Sequence, residues 1–376
     1  MKVLSRWFVI VGCFILTAGC WDQHLMKNAT LIQGASFDLT EEGQLLMGIS
    51  IPIVAEIPSE LRQTSVNSET MSVVANTPRE GTLRIERKVP GVLDPSKNKL
   101  ILFGEAFASE GILSSLDVLY RDPRNPLGAR LAVVEGGALE VLRVQPKEEL
   151  STSEYLLSIV RSAEENSNVP VENIQTLASE MMDPGEDIVL PFLKLSDGGK
   201  NVEIQGLALF DDDRFSGIHL TEQESILFNL LDGEKGKYAK FTRRVNANEK
   251  MNMDNYITFN VKKIKRALKV NVTPAEDVEV HLDVHLKVHV YEYPKGHAQA
   301  ELDTLNEKLS KSFSDDAKQV VQKLQEANCD AFGVGRHLIA FYPDIWKAKD
   351  EKTYFQEDVT FHTNVTVEII HVGIYE

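Results

Sequence analysis

The chain has 376 residues and a formal net charge of −16, with 43% hydrophobic and 26% charged side chains. That length predicts two or three domains, and the composition is that of an ordinary globular protein able to build cores without staples. An acidic balance of this size argues against nucleic acid, which needs a basic footprint, and against docking on anionic lipid by charge.

The chain opens with Lys2 and Arg6, an apolar run from Trp7 to Leu16, the small residues Ala18 and Gly19, and then Cys20. The run is too short to cross a bilayer with margin, so the order predicts a secretory signal peptide over residues 1–19 rather than a transmembrane helix. A cysteine directly after the small residues is the lipoprotein form of that signal. Its thiolate takes a diacylglycerol thioether, the peptide is cut before it, and the new amine is open to a further acyl chain. Thr17 stands three before the cysteine, where Leu is usual. Loss of residues 1–19 removes Lys2 and Arg6 and no acidic residue, which moves the charge from −16 to −18. Membrane attachment then rests on the acyl chains of Cys20, at ~0.8 kcal/mol per CH₂, with two or more chains needed for stable anchoring. Cys13 leaves with the signal and Cys20 carries lipid, so Cys329 stands alone and no internal disulfide is expected. No later stretch offers the ~18 consecutive apolar residues of a membrane span, which predicts a body on the outer side of the membrane that holds Cys20.

Thr30 to Asp38 and Gln44 to Val54 read as strands joined by the turn residues Thr40 to Gly43. The polar residues 59–76 read as a loop or a paired segment. Thr77-Pro78-Arg79-Glu80 has the cap, first-turn proline and glutamate of a helix start. Lys99 to Phe103 reads as a buried strand, Glu105 to Tyr120 as a helix weakened by Gly111, and Arg130 to Glu135 as a strand. Ser151 opens a capped helix, and Val171 to Met182 forms another that ends at Asp183-Pro184-Gly185. Ser196 to Lys200 reads as a linker.

Beyond it, Val202 to Phe210 and Phe215 to Leu220 read as strands, and Thr221 caps a helix ending at Asp232-Gly233. Basic residues cluster from Lys235 to Arg244 and from Lys262 to Lys269, within a strand-like stretch from Tyr256 to Val272. From Val278 to Tyr291 apolar and polar residues alternate without a break, the mark of a strand with one buried face. Glu301 to Asn328 reads as a long amphipathic helix, with Leu302, Leu305, Leu309, Phe313, Val320, Val321 and Leu324 on one side. Asp358 to Val372 reads as a closing strand.

Few groups carry recognisable chemistry. His281, His285 and His289 share one strand face, but neighbours four residues apart lie about 13 Å apart at ~3.3 Å per residue, too far for one ion. His281 and Asp283 are closer, at about 7 Å, and need ligands from another strand. A solvated polar face is therefore the expectation, with no metal site. Asp211-Asp212-Asp213 fails as a calcium loop because Phe215 and Ser216 stand where a ligand and a glycine belong. The basic clusters have few aromatic neighbours and read as solvated strand or loop faces. Cys329 to Arg336 supplies a helix C-terminus and a tight turn. Its glycines follow a helix, so a phosphate nest is not expected. The sequence has no Gly-rich phosphate loop, HExxH, GxSxG or CxxC pattern, and no catalytic residue or cofactor is expected.

Several stretches resemble one family when taken together. Gln325 to Gly335 (QEANCDAFGVG), Trp346-Lys347 and the closing His371-Val372-Gly373 resemble the C-terminal signature of the Ger(x)C spore germination lipoproteins. Gly206 to Phe210, followed by Gly217 and Thr221-Glu222, is similar to the start of that family's C-terminal region. Phe103 to Ala108, Gly111-Ile112 and Tyr120 to Pro123 are similar to its N-terminal region, and Cys20-Trp21-Asp22 to its mature start. Departures stand at Gln23-His24-Leu25, where an Arg-Glu pair is common, and at Gly34 to Asp38, a looser form of Gly-Ile-Gly-Ile-Asp. The resemblance implies the C subunit of a nutrient germinant receptor. Such a subunit is lipid-anchored through Cys20 on the outer face of the spore inner membrane, beside A and B subunits, and has no attached catalytic activity. It implies an α+β fold of three mixed domains in series, with largely antiparallel sheets and packed helices. Placed on this chain, residues 1–19 are the signal, 20–195 an N-terminal α+β domain, 203–272 a small middle α+β domain, and 276–376 a C-terminal domain with a long helix on an antiparallel sheet. A lipid-anchored solute-binding protein of a transporter is the alternative, and a cell-envelope hydrolase a further one for which the sequence offers no candidate pair.

Overall fold

The computed structural model describes residues 29–56, 64–146, 150–247, 250–296, 298–349 and 353–372. The expected signal peptide, residues 1–19, and Cys20 lie outside the described residues. In chain order, β1 (Ala29–Leu31) and β2 (Gly34–Leu39) lead through the Thr40–Gly43 turn to β3 (Leu45–Glu56), antiparallel to β2. β4 (Thr64–Ala75) pairs along the whole of β3, so the polar stretch is a paired strand over these residues. α1 (Pro78–Glu86) starts where expected: the Thr77 hydroxyl accepts from the Glu80 amide at 3.1 Å, while the Glu80 carboxylate accepts from the Asn76 amide at 2.9 Å. β5 (Val92–Asp94) pairs in parallel with β1, apart from the large sheet.

β6 (Leu100–Gly104) is buried throughout. The helix expected over Glu105 to Tyr120 is two helices, α2 (Glu105–Glu110) and α3 (Leu113–Arg121). Gly111 breaks it by taking φ +119°, a conformation few side chains allow, and the Ile112 amide then bonds across to the Asp213 carbonyl at 2.9 Å. There follow β7 (Arg130–Val134), α4 (Ala138–Leu142), α5 (Thr152–Glu165) with Ser151 as its cap, and α6 (Ile174–Glu180) capped by Asn173. β8 (Val189–Ser196), β9 (Asn201–Asp211) and β10 (Arg214–Thr221) complete an eight-stranded sheet of order β10-β9-β8-β7-β6-β2-β3-β4. Its centre, β8-β7-β6-β2, is parallel and its flanks are antiparallel.

Buried on both faces, the central strands read as continuous apolar runs. Ile101, Phe103, Leu131 and Val133 point to a core with α2, α3 and α6, where Phe37, Phe103 and Phe107 stack. Leu100, Leu102, Ala132 and Val134 point the other way, against α4 and α5. The stretch expected as a linker, Ser196 to Lys200, is instead a tight turn between two paired strands, closed by the Gly199 amide on the Ser196 carbonyl at 3.0 Å. Asp197, Gly198 and Gly199 all take positive φ, so the same small polar residues that suggest a linker serve a hairpin. Strands 201–221 therefore continue the large sheet.

The second half contains α7 (Glu222–Asp232), β11 (Lys240–Arg244), β12 (Tyr256–Val272), β13 (Val278–Glu292), α8 (Leu302–Glu326), α9 (Val334–Phe341), α10 (Pro343–Ala348), α11 (Tyr354–Glu357) and β14 (Val359–Val372). Its sheet has the order β11-β12-β13-β14, with β14 parallel to β13. The alternation of β13 resolves as expected: Val278, Val280, Leu282, Leu286 and Val288 are fully buried, under Leu305, Leu309, Phe313, Ala317, Val320 and Leu324 of α8. Leu207, Leu209 and Leu220 of β9 and β10 join this core, while Ala208, Phe210 and Phe215 join the first. The fold is α+β, of several mixed units, with antiparallel pairing predominant. Among the described residues no helix is long and apolar enough to cross a membrane.

Candidate functional site

The segment after α8 joins the two halves. Glycines at 333 and 335 were expected to follow a helix without opening one, but Gly333, at φ +68°, is the N-cap of α9. The amides of Val334 and Gly335 that begin this helix are taken up by the Asp330 carboxylate, at 2.9 and 2.7 Å, and the Tyr354 hydroxyl donates to the same group. An internal acid thus occupies the position where an anion would bind.

Asp330 also holds the N-terminal half. Its amide donates to the Asp187 carboxylate at 2.7 Å, and its carbonyl accepts from the Asp187 amide at 3.1 Å. The other Asp187 oxygen accepts from the Asp212 amide at 2.9 Å, so the acidic turn Asp211 to Asp213 is tied into the junction. Within that turn, Asp213 accepts from the Leu113 amide at 3.2 Å. Arg336 donates its amide to the Gly185 carbonyl at 2.9 Å and pairs with Glu186 and with Asp183, the latter at 3.0 Å. Cys329 is a buried free thiol directed at the Ile188 carbonyl, and burial pushes its pKa well up, against reactivity.

Burial is also the first cause of the raised carboxyls here: Asp330 is pushed up to about 8, against the pull of Tyr354 and its two amides, and Asp187 to about 6. Beside the junction opens a cleft of about 360 Å³ lined by Asp183, Glu186, Asp187, Asp211, Asp212 and Trp346. The arrangement is a clasp, with donors and acceptors satisfied across elements that lie 143 residues apart in sequence. Asp183 to Gly185 reads in the sequence only as a helix stop. Nothing local announces that Gly185 meets Gly335 and Asp187 meets Asp330, because the pairing is made by the folding of two sheets.

The three histidines of β13 stay apart along its solvent face, as their spacing requires. Each meets a residue of β14. His281 stacks on His362 with ring centroids 4.8 Å apart, His285 Nε2 lies 2.9 Å from Glu368, and His289 is 5.1 Å from His371. The basic clusters divide. Arg243 pairs with Asp316 at 3.1 Å and Arg266 with Asp232 at 3.3 Å, whereas Lys263, Lys265 and Lys269 are exposed on β12.

Residues 22–195 match a family model described as the spore germination protein N-terminal domain, and residues 205–373 one described as spore germination B3/GerAC like, C-terminal. The chain belongs to this GerAC-like family of spore germination proteins. Its relatives include spore germination protein GerQC of Bacillus cereus, 22% identical over 99% of this chain and 100% of that protein. Spore germination protein B3 of Bacillus subtilis is 21% identical over 99% of each. Putative spore germination protein YfkR of Bacillus subtilis is 26% identical over 58% of this chain, which spans 59% of YfkR's length. The crystal structure of the GerBC protein superposes with a TM-score of 0.57 at 18% identity, covering 90% of this chain and 97% of that one, a likeness of fold. Family membership does not favour the solute-binding alternative. Asp330, Val334 and Gly335 of the clasp lie within the stretch 325–335 that carries the family's C-terminal resemblance, which gives that stretch a physical role.

Proposed function

We propose that this chain is the lipid-anchored C subunit of a nutrient germinant receptor. It sits on the outer face of the spore inner membrane through acyl chains on Cys20 and acts by contacts with A and B subunits rather than by catalysis. The observation that carries the reading is the ordered match of both family regions along nearly the whole chain. The acidic body supports lipid anchoring over charge-driven docking, since it offers anionic lipid no net attraction. The clasp supports a role in contacts, because its buried carboxylates are bonded to backbone amides and to Tyr354 and hold two halves in fixed register.

The test is Cys20→Ala in the spore. The variant is expected to leave the inner-membrane fraction and to slow germination in response to nutrients. Full membrane retention with normal nutrient germination would sink the reading. Recovery of A and B subunits with the wild-type chain from detergent-solubilised spore membrane is the companion measurement, and their absence counts against the assembly.

A further inference from the structure

We propose that Glu279, His281 and His362 form a binding site for a divalent transition-metal ion, of which zinc is the type, on the solvent face of the four-stranded sheet. Glu279 and His281 are two residues apart on β13 and so share one face. His362 stands directly opposite His281 in the parallel register of β13 and β14. Their candidate ligand atoms all lie within 4.8 Å of one another, with His281 Nε2 at 3.9 Å from Glu279 Oε2. A tetrahedral ion with bonds of about 2.0–2.1 Å needs ligand atoms roughly 3.3 Å apart. Closing that gap takes side-chain rotation alone. Glu279 and His281 are each 41% exposed, and His362 is exposed, so the three side chains have solvent to turn through.

The donor set points to the ion. Two imidazoles and one carboxylate suit zinc and its neighbours, and are a poor match for calcium or magnesium, which take oxygen ligands. Three protein ligands leave a fourth position for water. The site joins the edge strand β14 to β13, its one strand neighbour in this sheet, so a bound ion would staple β14 to β13. Spacing along β13 excludes such a site within one strand; the parallel neighbour supplies the missing ligand.

The experiment uses the full chain in detergent, titrated with zinc chloride by calorimetry at pH 7.5, with thermal melts in parallel. One saturable ion per chain is expected, with a rise in melting temperature. His281→Ala and His362→Ala should each weaken affinity by about tenfold or more and abolish the thermal shift, while His285→Ala leaves both unchanged. Glu279→Gln, which keeps shape and loses charge, should weaken affinity as well. Unchanged binding in His281→Ala or His362→Ala, an equal loss in His285→Ala, or no saturable binding by the wild type overturns the proposal.

Discussion

Gly185 and Gly335 meet backbone to backbone across the junction. A Cβ at Gly335 would lie 2.6 Å from the Gly185 Cα and 2.5 Å from the Tyr354 hydroxyl oxygen, and one at Gly185 would lie 2.5 Å from the Gly335 carbonyl carbon. The approach brings the Gly185 carbonyl within reach of the Arg336 amide and places Tyr354 on Asp330. Any side chain at 335 must push the two halves apart or displace Tyr354. Gly335→Ala is therefore expected to destabilise by about 1–3 kcal/mol, the range of overpacking in a tight site. Urea unfolding of the variant measures it, and a change under about 0.5 kcal/mol would mean that the contact yields freely.

Stability should fall as pH rises from about 5 to 8. Burial pushes up the carboxyls of Glu172 to about 7, Glu180 to about 8, Asp187 and Asp232 to about 6, and Asp330 to about 8. Unfolded, these groups titrate near pH 4, so over this window the folded chain binds more protons. Their contribution is complete below about pH 4 and is lost as pH climbs through the folded values. The lowered histidines, His289 and His337, act in the opposite sense and are more exposed. Asp122, held down to about 2 by Arg124, loses its contribution only as pH falls below about 4. Urea midpoints at pH 5.5 and 8.0 should show the decline, with a smaller difference in Glu172→Gln, which keeps an acceptor for the Thr176 hydroxyl. A midpoint that stays level or rises across the window would refute the assignment.

Features governed by neighbours in sequence were legible in it. Thr77, Ser151 and Thr221 cap the helices they were expected to cap, and the valines of β13 are buried on one face. The long α8 follows its apolar stripe. Features governed by pairing were not. Ser196 to Lys200 reads as a linker, and only the pairing of β8 with β9 makes it a hairpin turn. Gly111 weakens a helix in any context, but only the bond from Ile112 to Asp213 decides that the chain breaks there. The approach of Asp187 to Asp330, and of His281 to His362, depends on strand order and register, which periodicity does not encode.

Asp38 gives a second buried carboxylate a definite task. From the end of β2 it accepts the amides of Ala138 and Leu139, at 2.6 and 2.8 Å, where α4 begins. It is 5% exposed, and burial raises its pKa against the pull of those two amides. Asp38→Ala leaves both amides unpaired in the interior and is expected to cost about 1–3 kcal/mol. Asp38→Asn retains one acceptor and should lose less. Equal stability of all three proteins in urea would show that water replaces the carboxylate.

The edge of the second sheet is closed by a ladder of side chains from α8. Asn306, Ser310 and Ser314 stand four residues apart on one helix face and accept the amides of Ile369, Val367 and Val365, at 2.8, 2.8 and 2.9 Å. These three β14 amides are in this way paired by a helix rather than left as a template for another strand. The polar residues of α8 that interrupt its otherwise apolar contact with the sheet are explained by this geometry. Ser310→Ala should leave the Val367 amide without its acceptor and cost about 1–3 kcal/mol. Ser310→Ala combined with Ser314→Ala should also speed hydrogen exchange at Val365 and Val367 and promote self-association through the opened edge. Light scattering and residue-resolved exchange test both consequences. Unchanged exchange at these two amides would show that the hydroxyls do not protect them.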